Sequence, residues 1–149
     1  MTLRTVQFLA ILFMALALVP AGAHFFELPN KMGLAGDAYF IVQGIYAGWA
    51  LFGIILIGAL ALNLILAIML RTDRPAFYFA LVGFLAVAAT LLIFFVWVFP
   101  TNQATENWTE MPENWEALRR QWEYGHAVNA VITLVGFCSV VLAALASRE

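Results

Sequence analysis

Four apolar stretches, over 6–26, 39–70, 76–99 and 127–146, dominate this chain, and each matches or exceeds the roughly 20 residues that cross a bilayer. Inside hydrocarbon the backbone has no water to bond, so a spanning segment must satisfy its own amides and carbonyls, and long unalternating runs do so as α-helices. The expected fold is all-α: a single domain over 1–149, built as an antiparallel bundle of four transmembrane helices. The spacing predicts helices over approximately 5–28, 38–70, 75–99 and 112–147, the last beginning before the membrane. With 64% hydrophobic and 11% charged residues, most of the surface must be solvated by the lipid bilayer. A net charge of −2 leaves no basic face for nucleic acid. The single cysteine, Cys138, excludes an intrachain disulfide and reads as packing.

The breaks between spans are turns. Leu28-Pro29-Asn30-Lys31 with Gly33 and Gly36 closes the first, Arg71-Thr72-Asp73-Arg74-Pro75 the second and Pro100-Thr101-Asn102 the third. The second is short enough to force a helical hairpin, with Asp73 or Thr72 as cap and Pro75 in the first turn beyond. Arg4, Arg71, Arg74 and Arg148 fall on one side and Lys31, Arg119 and Arg120 on the other, so the positive-inside rule puts both termini in the cytoplasm. Trp97, Trp108, Trp115 and Trp122 then gather at the outer boundary, as an interfacial belt does. Arg4, the apolar run after it and Ala21-Gly22-Ala23 also fit a signal peptide cleaved before His24, the alternative reading of the first run. Gly44-x-x-x-Gly48, with Gly53 and Gly58, predicts a helix face for close packing, against a neighbouring helix or a second copy. Pro20 predicts a kink in the first helix.

The chain has two histidines, each three residues from a glutamate: His24 with Glu27, and Glu123 with His126. A three-residue step puts both members on one helix face, and on antiparallel helices the two pairs fall at the same depth. Arg119, Glu123 and His126 share a sector of the fourth helix with Trp115 and Trp122 nearby, so Arg119 is the expected neutraliser of Glu123. Gln43 and Tyr46 are placed to hydrogen-bond this cluster or a substrate within it, and Asn129 extends it one turn deeper. One reading makes His24, Glu27, Glu123 and His126 ligands of a transition metal, iron or copper, as helical bundles build such centres. Another has His24 and His126 ligate a haem, and a third needs no cofactor, with His126 as general base. The same residue types are also ordinary at a membrane boundary, where they snorkel and cap helices. Ionisable groups near the middle of the spans, which a transporter uses, are missing.

Phe99-Pro100-Thr101-Asn102, Asn107-Trp108 and Trp115-x-x-Leu118-Arg119-x-x-Trp122-Glu123-x-x-His126, with Gly22-x-His24 and Pro29-x-Lys31, resemble the anthrone-oxygenase-like family of small four-helix integral membrane proteins. The resemblance spans nearly the whole chain. It implies oxidation of a polycyclic anthrone to an anthraquinone by molecular oxygen without an organic cofactor, at Asn102, Trp115, Arg119, Trp122 and His126. Asn129 stands where that family often carries a basic residue, a departure that bears on the substrate. The expected function is thus a membrane-embedded oxidoreductase, monooxygenase-like, acting on a hydrophobic small molecule of aromatic or quinone type. His126, Arg119, Glu123 and Trp122 would be catalytic, and Trp115, Asn102, Tyr46 and Gln43 would bind substrate. The alternatives are a non-catalytic accessory subunit using Gly44 and Gly48 as its partner surface, and a metal- or haem-binding electron carrier.

Overall fold

A computed structural model describes residues 1–147; Arg148, counted above for orientation, lies outside the described residues. Thr2 opens the first helix, α1 (Leu3–Met32), its side chain accepting the Thr5 amide at 3.3 Å. The helix runs through both Pro20 and Pro29, and the break expected at 28–31 is displaced to Gly33, whose amide closes on the carbonyls of Asn30 and Lys31. Because the helix survives to Met32, Lys31 keeps helical register with His24 and Glu27. Steps of three and four residues line all three along one face.

The second span is not the continuous helix expected over 38–70. It consists of α2 (Gly36–Gln43), 3-10 turns at Gly44–Tyr46 and Trp49–Leu51, and α3 (Phe52–Met69). Gly48 makes the break with φ +84°, a left-handed conformation that costs glycine little and other residues much more. Gly44 and Gly48 therefore do not share a helix face, and no described atom lies within 4 Å of where a β-carbon would stand on either. Gly48 bends the chain here, while Gly44 keeps right-handed helical geometry.

Asp73 takes the N-cap position of α4 (Arg74–Ile93), without a side-chain capping bond, and Pro75 lies in its first turn. The span continues through a π-helical segment, Phe94–Val98, into α5 (Phe99–Ala104). Glu106, Asn107 and Trp108 then adopt φ of 47°, 57° and 68°, three consecutive non-glycine residues in left-handed geometry, before α6 (Trp115–Ala146). At about 1.5 Å per residue α6 is about 48 Å long, more than the roughly 30 Å of a bilayer core, so it extends past the hydrocarbon.

Four helical segments, Leu3–Met32, Trp49–Met69, Arg74–Ala104 and Trp115–Ala146, are long and apolar enough to cross a membrane, and the chain is a multi-pass membrane protein. They form a ring in which α6 packs on α1 and α4, and α3 packs on the same two from the opposite side. The core near the chain termini is small and apolar, with Val6, Ala10, Met14, Ala59, Ala80 and Val140 all fully buried. Phe8, Val19, Ile54, Leu85 and Leu145 point outward, where hydrocarbon is the fitting solvent. Cys138 joins this outer surface and is not a packing residue as expected, since its place on α6 faces away from α1 and α4. No strand occurs among the described residues.

Close approach of the helices depends on glycine. A β-carbon on Gly136 would lie 2.9 Å from both Ala86 Cβ and Met14 Cε, and one on Gly83 would lie 2.5 Å from Val140 Cγ2. Van der Waals packing of small residues is the main cohesive term where lipid is as apolar as the interface. Replacing Gly136 by Leu should therefore separate α6 from α1 and α4 and destabilise the bundle by about 1–3 kcal/mol. Thermal unfolding in detergent, followed by helical circular dichroism, would register this as a lower midpoint.

Candidate functional site

At the end of the bundle away from the termini, α1, α2 and α6 converge on a buried polar layer. The α1 face supplies His24, Glu27 and Lys31; α6 supplies Arg119, Trp122, Glu123 and His126; α2 supplies Tyr39 and Gln43, four residues apart and so on one side. Tyr46 enters from the 3-10 turn that follows α2.

Lys31 and Glu123 form the centre of the layer. The Lys31 ammonium lies 2.7 Å from Glu123 Oε1, with side chains only 4% and 0% exposed. Lys31 also donates to Tyr46 Oη at 3.0 Å, and the Tyr46 hydroxyl donates to Glu27 Oε2. On the other flank the Tyr39 hydroxyl donates to Glu123 Oε1 at 2.8 Å and accepts from Gln43 Nε2 at 2.9 Å. One continuous chain of hydrogen bonds thus links Glu27, Tyr46, Lys31, Glu123, Tyr39 and Gln43. The ammonium sits 4.4 Å from the Trp122 ring centroid and 4.5 Å from that of Tyr46, a cation–π arrangement that partly replaces its lost hydration.

Tyr39 and Tyr46 are held protonated above the ordinary tyrosine pKa of 10.0. Burial is the main cause for each, reinforced at Tyr39 by the negative charge of Glu123 and at Tyr46 by its hydrogen bond to Glu27. A raised folded-state pKa means that the stabilisation is complete below pH 10 and declines only as the pH climbs towards the folded value.

Beside the ion pair the two histidines touch. Their ring centroids are 4.0 Å apart at an interplanar angle of 26°, a stacked contact. Trp122 lies edge-on to both, at 4.2 Å from His126 and 5.0 Å from His24, and Tyr46 and Trp49 cover His24 at 4.6 and 5.4 Å. His24 Nδ1 is buried without a hydrogen-bond partner among the described residues.

The structure brings the two His/Glu pairs to one layer, but with partners other than those expected. Arg119 is not the counter-ion of Glu123: its guanidinium donates to the Leu34 carbonyl at 2.8 Å and stacks 4.7 Å from Trp115. Lys31 takes the carboxylate because α1 continues past Pro29. Glu27 and Glu123 turn toward Tyr46 and Lys31, and among the described residues no three His, Cys, Asp or Glu side chains are arranged to hold a metal ion. The expected four-ligand metal set does not form. Nor does the stacked pair leave room for a haem iron between the rings, since two metal–nitrogen bonds of about 2 Å each would force the centroids further apart.

Asn102 joins two of the tryptophans. Its Oδ1 accepts from the indoles of Trp122 at 2.9 Å and Trp108 at 3.2 Å. Trp108 and Trp122 are accordingly buried, 7% and 4% exposed, and are walls of the layer instead of an interfacial belt; Trp97, at 53%, retains an outward position. Asn129 lies deeper and donates to the Thr90 carbonyl at 3.3 Å. Sequence reasoning missed Tyr39, Trp49 and the role of Lys31. The heptad spacing from His24 to Lys31 was the available signal, masked by reading Pro29 as a helix stop. Comparison with family models, with curated proteins and with solved structures finds no match to the chain.

Removing one member of a buried ion pair strands the other charge. Lys31→Met or Glu123→Leu alone should each cost about 3–5 kcal/mol, whereas the double variant should cost clearly less than their sum. A double-mutant cycle on unfolding free energies in detergent measures the difference. Absorbance at 295 nm should show Tyr39 and Tyr46 still un-ionised above pH 10; Tyr39→Phe and Tyr46→Phe identify their contributions by difference.

Proposed function

We propose that this protein is a membrane-embedded oxidoreductase of the anthrone-oxygenase-like kind, acting on an apolar aromatic or quinone-like molecule drawn from the lipid. The observation that carries this reading is the stacked His24–His126 pair, walled by aromatic rings and set beside a buried ammonium. The imidazole nitrogen left without a partner among the described residues is His24 Nδ1, and His126, stacked on that ring at 4.0 Å, is assigned as the general base. Lys31 spends two of its three N–H bonds on Glu123 and Tyr46, which leaves one to stabilise an oxyanion. In this reading Lys31, and not Arg119, faces the developing negative charge.

In the proposed reaction the imidazole removes an acidic proton from a ring methylene, and the electron pair of that C–H bond stays on carbon, delocalised as an enolate whose oxygen faces Lys31. The carbanion reduces molecular oxygen and forms a C–O bond. The imidazolium returns its proton to the resulting peroxide, and loss of water leaves a ketone. One methylene and one dioxygen give one carbonyl and one water, with no outside reductant. Trp122 and Trp115 supply flat apolar surface for the ring system.

In this reading both termini are cytoplasmic, with the polar layer near the opposite face of the membrane; Arg4, Arg71 and Arg74 at the termini end support that orientation. The test uses the full chain in lipid nanodiscs with anthrone as probe, following oxygen consumption and anthraquinone absorbance together. His126→Ala should lower the rate by about 100-fold or more, the usual contribution of a positioned base. Oxygen uptake no faster than in empty nanodiscs overturns the proposal.

A further inference from the structure

Around Tyr39 three buried polar atoms have no hydrogen-bond partner among the described residues: Glu123 Oε2, Gln43 Oε1 and Arg119 Nε. Their residues are 0%, 4% and 8% exposed. Leaving such atoms unpaired is costly, most of all for a charged group, so a fold that buries three of them around one phenol calls for an occupant that satisfies them.

Their placement specifies its chemistry. Glu123 and Gln43 each hold the same atom, Tyr39 Oη, through their other ends, at 2.8 and 2.9 Å. Their free oxygens therefore flank one phenol. Arg119 lies one turn before Glu123 on α6, and its guanidinium carbon is 5.4 Å from the Tyr39 ring centroid. Two acceptors and one donor thus meet beside the rings of Tyr39, Trp115, Trp108 and Phe40, which stack edge-on and tilted against one another.

We infer that this cluster is a recognition position for the hydroxyl of an aromatic ligand, a phenol or hydroquinone. The ligand O–H donates to the free carboxylate oxygen of Glu123, and the ligand oxygen accepts from Arg119 Nε–H. A second hydroxyl on the ligand donates to Gln43 Oε1. A carboxylate acceptor makes the first bond charge-assisted and selects strongly against an ether, which would leave Glu123 Oε2 stranded. The inference deepens the proposed function, since it rests on an apolar aromatic ligand and names the group by which that ligand is oriented beside Lys31 and the histidines.

The experiment titrates the full chain in lipid nanodiscs with 1-naphthol, 1-methoxynaphthalene and 1,5-dihydroxynaphthalene, reading quenching of tryptophan fluorescence against empty nanodiscs. Naphthol should bind at least about 10-fold tighter than its methyl ether, and the dihydroxy compound tighter again. Gln43→Leu should erase the advantage of the second hydroxyl while keeping that of the first. Glu123→Gln should erase the first; if that variant does not fold, the ligand series on the native chain and on Gln43→Leu still decides. Equal affinity for naphthol and ether, or no saturable binding of either, overturns the inference and leaves the three atoms to buried water. Hydroxyl selectivity without oxygen consumption from anthrone retains this position and removes the oxidoreductase reading; oxidation without hydroxyl selectivity does the reverse.

Discussion

The ion pair between Lys31 and Glu123 governs how the polar end of this bundle is built. A lysine and a glutamate with almost no solvent exposure, 2.7 Å apart, are each too costly to bury alone, so every neighbour that lowers the cost becomes part of the fold. Tyr39 donates to the carboxylate, Tyr46 accepts from the ammonium, and Trp122 lays its π-face near the ammonium. Gln43 and Glu27 then fix the two phenols from behind. The pair also ties α1 to α6 across the layer where the histidines meet, so the stacked contact at 4.0 Å depends on the same pinning.

A second constraint is the division of labour along the bundle. Toward the termini, alanine, glycine and valine let the helices approach closely, with Gly83 and Gly136 opening the α4–α6 contact. Toward the polar layer the side chains become large and aromatic, and the second and third spans no longer run as uninterrupted rods. Gly48 bends the second span, the third carries a π-helical segment at Phe94–Val98, and Glu106 to Trp108 turn left-handed. Irregular backbone of this kind collects where side chains must be aimed rather than merely packed. Here the turn at Glu106–Trp108 brings the Trp108 indole onto Asn102, and Asn102 in turn holds Trp122 against His126.

The sequence was informative about the site at the level of helix faces and misleading at the level of partners. His24, Glu27, Glu123 and His126 were placed in one layer by spacing and antiparallel order, and the layer exists. Arg119 and Glu123 lie a turn apart on one helix, which predicts a pair, yet the guanidinium reaches the Leu34 carbonyl instead. In the sequence Lys31 reads as a charge beyond the helix end, because Pro29 is a stop signal. A proline near the end of a helix removes only one hydrogen bond, and α1 continues for one more turn to Met32. Tyr39 drew no notice because an apolar run containing a tyrosine gives no hint that its hydroxyl meets a carboxylate 84 positions away.

What the sequence determined by itself is the number of spans and their helical nature. Lipid solvation imposes a length of about 20 apolar residues on each segment and forces every backbone group to bond within it, and both conditions are local along the chain. The tertiary structure alone decided which charge answers which, that two of the tryptophans turn inward, and that the second span breaks at Gly48. Those outcomes follow from contacts between residues distant in sequence, where burial energy and hydrogen-bond geometry are settled only once α1, α2 and α6 have packed together.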